Sequence, residues 1–363
     1  MQKHCPDNER IKREYRKFLK HAHGRSEASL DMTAKAIDRF EQYAHHRNFK
    51  EFCRQQAIGF CEHLADQKNE RNGNALSRGT QHATLAALRS FFHWLARESG
   101  YKSRIAYHDA DYFSLSERDG RIARTRLAKA YPSLEQVQDV IRSMLPANAV
   151  QLRDRAVVAF ILLTGARDGA TRTIRLKHLD VGRGVLHQDA REVATKLGKS
   201  FDSYFFPVGE DVRKIVEDWV IYLEREHGFG PDDVLFPAAR QELGPDGLLC
   251  AAGLSREGWA TAAPIRQIFK TAFTAAGLPY HSPHRIRDTL ATLGNELCRN
   301  GKAMKAWTLN LGHAHPLTMF ANYGPIDSAE QGEIMRKMGI ATPPTDAALD
   351  QVQELLDKLR LGG

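Results

Sequence analysis

Apolar positions in the first hundred residues recur at helical spacing. Leu30, Ala34, Ile37, Phe40 and Ala44 share one face between Ser29 and His46, and Phe52, Ile58, Phe60 and Leu64 repeat the period between Phe49 and Gln67. A third stripe, Leu85, Leu88, Phe91, Phe92 and Leu95, runs from Ser77 to Glu98, where Gly100 is placed to end it. A basic stretch from Ile11 to His23 precedes these helices as an arm. From Ser103 to Ala130 the apolar pattern dissolves while Arg118, Arg121, Arg124, Arg126 and Lys129 accumulate, which reads as a linker.

A new pattern begins at Pro132, where Ser133 and Glu135 start a helix, and Arg153 to Leu163 form a strongly apolar one broken by Thr164 and Gly165. Strands are expected only within Gly182 to Val208: Gly184 to His187, Val193 to Lys196 and Ser203 to Val208, with Leu197-Gly198 at a hairpin tip. Helices resume at Val212 to Glu226, Ala263 to Ala276, His284 to Arg299 and Lys302 to Leu311, while 227–262, rich in Gly and Pro, reads as surface loop. Leu349, Val352, Leu355, Leu356 and Leu359 fall on one face of a last amphipathic helix. The fold class is therefore mainly α with a small β hairpin or sheet.

At 363 residues the chain is long enough for two domains, each with its own core. No apolar run approaches the ~18 residues of a membrane helix, and no export signal follows the charged start, so a cytoplasmic protein with no membrane partner is expected. The five cysteines are scattered and read as reduced thiols in the core. The 16 histidines include His45 with His46 and His313 with His315, but no carboxylate or thiol stands at ligand spacing, so no metal is expected.

Charge changes the picture once it is divided along the chain. Residues 1–130 hold 25 Lys and Arg against 16 Asp and Glu, so the whole net charge of +8 is N-terminal. A localised positive surplus suits a polyanion, whose counterions it releases, and equally suits a solvated helical surface. The third helix carries Arg78, Gln81, His82 and Arg89 away from much of its apolar stripe, groups able to reach phosphates and base edges.

Four separated motifs suit phosphate chemistry. Arg167 follows a buried helix and a Thr-Gly break, and its planar fork matches phosphate oxygens, although one arginine there serves as well in a cap or ion pair. Within Ser282-Pro283-His284-Arg285-Ile286-Arg287-Asp288, His284 and Arg287 share a helical face, with Asp288 free to pair with a neighbouring arginine. Leu311-Gly312-His313 ends a helix ten residues before Tyr323-Gly324, whose phenol, with a pKa near ~10, needs cationic help to act as a nucleophile. Thr195-Lys196-Leu197-Gly198-Lys199 sits at the hairpin tip, from which an ammonium can reach a leaving oxygen. Each motif alone reads as ordinary structure.

Together, the order Arg167, Lys196, His284-x-x-Arg287, Gly312-His313, Tyr323 resembles the catalytic domain of the tyrosine recombinase (phage integrase) family, over Pro132 to Ile340. The helices of Ser29 to Gly100 resemble, more weakly, its core-binding domain. The resemblance implies a basic arm over 1–25, a helical SAM-like core-binding, DNA-binding domain over 26–102, a basic linker over 103–131, an α+β catalytic domain over 132–342 and a C-terminal helix over 343–363. The linker arginines Arg121, Arg124 and Arg126, together with Lys199, would add DNA contacts to those of Arg78, Gln81, His82 and Arg89.

By the same resemblance Arg167 and Arg287 hold the scissile phosphate, His313 donates to it, Lys196 protonates the departing 5′ oxygen, His284 handles the tyrosine proton or orients the phosphate, and Tyr323 forms a 3′-phosphotyrosine. No metal, nucleotide or other cofactor is implied. The partner is duplex DNA with paired half-sites, bound by a homotetramer with or without partner recombinases, in site-specific recombination, integration or transposition of a mobile element. A type IB topoisomerase-like enzyme and a catalytically silent DNA-binding accessory protein are the competing expectations. One departure stands out: Ala170 occupies the place where the family has an acid three residues after the first arginine, so that contact is absent or moved to Asp168.

Overall fold

The computed structural model describes residues 4–68, 73–124, 130–243 and 249–312. The chain divides into two compact units, Met1–Leu127 and Ala128–Gly363. His313, Tyr323 and the C-terminal amphipathic segment lie outside the described residues, as do Arg126 and the side chain of Arg124.

The first unit contains α1 (Pro6–His21), α2 (Glu27–Tyr43), α3 (Arg54–Asp66), α4 (Arg78–Leu95) and α5 (Glu117–Arg124). Ser26 and Ser77 cap α2 and α4 by accepting the N–H of Ser29 and Thr80. The apolar stripes meet around Phe40, whose ring stands edge-on to Phe52, Phe60, Phe92 and Phe113 at centroid distances of 5.2–5.9 Å. That is the favoured geometry for aromatic quadrupoles.

Two boundaries expected from the sequence move. The basic stretch Ile11–His23 is no free arm: most of it lies in α1, whose Ile11 and Tyr15 are buried in the core. Fully buried Asn8 bonds Glu41 at 2.9 Å, the Arg47 carbonyl at 2.9 Å and the Phe49 N–H at 3.0 Å. Residues 103–124 of the supposed linker likewise belong to this unit, because Ile105, Ala110 and Phe113 are buried in the same core. His108, Asp109 and Asp111 between these anchors mask the pattern in one dimension.

The second unit contains α6 (Leu134–Ser143), α7 (Ala149–Thr164), α8 (Asp168–Thr171), β1 (Leu179–Asp180), β2 (Val185–Gln188), β3 (Phe201–Tyr204), α9 (Glu210–His227), β4 (Ala239–Leu243), β5 (Leu249–Leu254), α10 (Ala263–Ala275), α11 (Pro283–Leu297) and α12 (Gly301–Asn310). A Ser133–Gln136 capping box opens α6. Every residue of α7 from Ala156 to Thr164 is buried, with α6, α9, α10 and α11 packed around it. Such an all-apolar helix has no wet face and forms the centre of its domain.

The strands run antiparallel in the order β1-β2-β3, with Gln188 opposite Phe201, and β4 pairs with β5 in a second sheet. Val193–Lys196 is therefore not a strand but part of the long β2–β3 loop, and 227–262 holds a hairpin as well as loop. Val193 is apolar because it anchors this loop in the domain core, the one buried residue of 189–200. Cys5, Cys53, Cys61 and Cys298 are unpaired and partly exposed rather than core.

Candidate functional site

The site grows from the end of α7. Gly165 closes that helix at φ 64°, a conformation that costs a Cβ-bearing residue energy, and its N–H bonds the Ile161 carbonyl at 3.0 Å. Space is short there as well. A Cβ on Gly165 would stand 3.0 Å from Leu311 Cδ2, 3.1 Å from Phe206 Cε2 and 3.3 Å from Leu290 Cδ1. The turn delivers Arg167 to the N-cap of α8, half-buried, with no hydrogen-bond or ion-pair partner for its guanidinium among the described residues. Burial lowers its pKa.

Arg287 enters from α11, which Pro283 opens at its first turn. It is 5% exposed, and its two Nη groups donate to the carbonyls of Gly165 and Leu311. One side chain thus holds the chain two residues ahead of Arg167 and two residues ahead of His313. Burial, and then repulsion from Arg167, push the Arg287 pKa down to about 9, which leaves it protonated at neutral pH.

His284 is exposed, yet partial loss of hydration and then repulsion from Arg287 lower its pKa from 6.5, with Arg167 among the further causes. These three groups therefore feel one another, although Arg167 is distant in sequence. Asp288, which opposes these shifts, pairs with Arg285 at 2.6 Å. Asp168 does not take over the missing acid's role: its carboxylate pairs with Arg266 of α10 at 2.7 Å and accepts the Gly169 N–H.

Lys196 and Lys199 are exposed in the β2–β3 loop and have no hydrogen-bond or ion-pair partner among the described residues. His313 and Tyr323 lie outside the described residues, but the turn leading to them is tightly built. Asn310 closes α12 and its side chain completes the edge of β3, accepting the Tyr204 N–H at 2.6 Å and donating to the Tyr204 carbonyl at 2.8 Å. Ser203 Oγ donates to the Asn310 carbonyl at 3.0 Å. Gly312, at φ 67°, lies against Phe201 so closely that a Cβ would fall 2.5 Å from Cζ. No local pattern announced Asn310 or Phe201, whose partners are distant along the chain.

The candidate DNA contacts of the first unit separate. His82 and Arg89 are exposed on α4. Gln81 is 3% exposed and donates to the Leu76 carbonyl at 2.9 Å, so it holds the entry to α4 and presents no amide to a groove. Its spacing on the polar side hid a structural role. Arg78 is exposed but engaged with Gln81 and Asp119, and exposed Arg121 pairs with Glu117.

Two guanidiniums and an imidazole thus lie close enough to couple electrostatically, an arrangement suited to binding an anion. The chain belongs to the phage integrase family, whose profile matches residues 133–329, and the family's N-terminal SAM-like domain matches residues 13–99. It is 32% identical over 138 residues to tyrosine recombinase XerC 2 of Ralstonia nicotianae, covering 38% of this chain and 35% of that protein. It is 27% identical over 273 residues to tyrosine recombinase XerC of Bacillus subtilis, covering 74% and 79%. In fold it is similar to the Tn1549 transposon integrase solved in complex with transposon right end DNA, at TM-score 0.58 and 15% identity over 91% of this chain and 99% of that one.

Proposed function

We propose that the chain is a site-specific DNA recombinase that exchanges strands through a 3′-phosphotyrosine intermediate. Tyr323 attacks the scissile phosphorus, the new Tyr–O–P bond forms as the P–O5′ bond breaks, and the 5′ oxygen takes a proton from the Lys196 ammonium. His284, neutral at pH 7, accepts the tyrosine proton. Arg167 and Arg287 carry the charge that grows on the non-bridging oxygens, and His313 adds a hydrogen bond. Positioned cations in a partly desolvated site are the largest catalytic contribution such a reaction can draw on. One phosphate ester replaces another, so the link keeps the energy for rejoining.

The observation that carries this reading is the gathering of Arg167, Arg287 and His284, whose pKa values are lowered first by burial and, for Arg287 and His284, then by neighbouring guanidiniums, with Asp288 turned to Arg285 and Asp168 to Arg266. A bound phosphodiester offsets the two like charges of Arg167 and Arg287. Family membership and the DNA-bound structures of similar fold support duplex DNA as partner and assembly of several protomers on it. We take the working unit to be a tetramer on paired half-sites, since half-site symmetry mirrors protein symmetry. No helix among the described residues is long and apolar enough to cross a membrane, and the cytoplasm is the proposed location.

The test begins with selection of a half-site by the full chain from a random-sequence duplex pool. A duplex carrying that site and a nick beside the scissile phosphate then traps the covalent intermediate. Wild-type protein gives an adduct that resists denaturation and Tyr323→Phe gives none; binding without any wild-type adduct refutes the proposal.

A further inference from the structure

The loop that carries Lys196 is fastened just ahead of that residue. His178, in the 3-10 turn Leu176–His178 that follows α8, is 5% exposed, and its Nδ1 accepts the Arg175 N–H at 3.0 Å. The proton of the neutral ring therefore sits on Nε2, which donates to Glu192 Oε2 at 3.0 Å. Lys177 Nζ reaches the same oxygen at 2.8 Å, and these two donors hold the Glu192 pKa below its usual value. Val193 is buried in the domain core, and the Ala194 N–H bonds Thr173 Oγ1 at 2.9 Å.

Glu192, Val193 and Ala194 are thus secured in succession to the segment that follows Arg167. Beyond them Lys196, Leu197 and Gly198 are exposed, with Leu197 at φ 62°. The strand ends at Gln188 and Phe201 would leave all of 189–200 to hinge; these anchors, with the Thr195 N–H bonded to the Val193 carbonyl at 2.7 Å and the Ala190 N–H to Ser200 Oγ at 2.9 Å, leave 196–199 as the untied span. A shorter span restricts where the ammonium can go.

We propose that Glu192, gripped by His178 and Lys177, is a positioning residue that sets the reach of Lys196 toward the leaving 5′ oxygen. This rests on the reading of Lys196 as proton donor. Nothing in local sequence marks Glu192, because its partners come from the turn before β1.

The experiment separates the two ideas. Nicked duplexes on the selected half-site are made with either oxygen or sulfur at the bridging 5′ position. A thiol has a pKa of about 8.5, so a thiolate departs without a proton, whereas an alkoxide does not. On oxygen, Lys196→Ala loses adduct formation by about 100-fold or more and Glu192→Ala by about 10-fold or more. On sulfur both match wild type, while Glu192→Gln, which keeps an acceptor for both donors, stays near wild type on either substrate. Glu192→Ala slowed equally on both substrates, or unaffected on oxygen, overturns the positioning role. Lys196→Ala slowed equally on both removes Lys196 as the donor, and the positioning role with it.

Discussion

Arg287 donates to the carbonyl of Gly165, the residue that ends α7 two places before Arg167. Its second bond, to the Leu311 carbonyl, reaches the turn that precedes His313. The same side chain is thus proposed to hold the phosphate and shown to join two chain segments that bring the other groups to it. Its removal should injure both the fold and the chemistry.

Replacement of Arg287 by Ala leaves two buried carbonyls without donors, each costing about 1–3 kcal/mol. Arg287→Lys restores the charge but not the planar fork. Both variants are expected to lower the melting temperature and to form no covalent adduct, with Lys the milder in stability. Calorimetry beside the trapping assay checks this; a Lys variant with wild-type stability and adduct yield contradicts it.

Gly312→Ala places a Cβ 2.5 Å from the Phe201 ring, so ring or turn must shift. Overpacking of this kind costs about 1–3 kcal/mol. Phe201→Ala in the same chain opens the space and should return part of that loss, a non-additivity expected only of residues in contact. Denaturant titration of the two single variants and the double variant measures it.

The lowered pKa of His284 has a signed consequence. Below 6.5 the unfolded chain binds this proton before the folded chain does, so the neutral imidazole's contribution to stability is full above 6.5 and is lost as pH falls through the depressed folded value. Adduct formation should accordingly stay level through neutral pH, with its acid limb centred below 6.5. In His284→Gln that limb should disappear; a profile with the same limb in the variant assigns the titration to another group.

The α4 side chains should divide by role. Gln81→Ala removes a buried donor from the Leu76 carbonyl and is expected to cost about 1–3 kcal/mol of stability without changing which base pairs are preferred. Arg89→Ala should leave stability unchanged, weaken binding to all duplexes and reduce the salt dependence by about one counterion. Melting curves and affinity measured across a salt series distinguish them.

Periodicity alone identified α2, α4, α7, α9, α10, α11 and α12 to within a few residues, because an apolar stripe is a local property of the chain that packing only has to bury. The order of Arg167, Lys196, His284, Arg287, His313 and Tyr323 was equally legible, since residue types at set places need no coordinates to be read. Which groups face one another was not. The bond from Arg287 to Gly165, the capture of β3 by Asn310, the hold of His178 on Glu192, the diversion of Asp168 to Arg266 and the burial of Gln81 all join or orient residues through space. Hydrogen bonds and ion pairs act over a few ångströms whatever the distance along the chain, so only the packed molecule decides them.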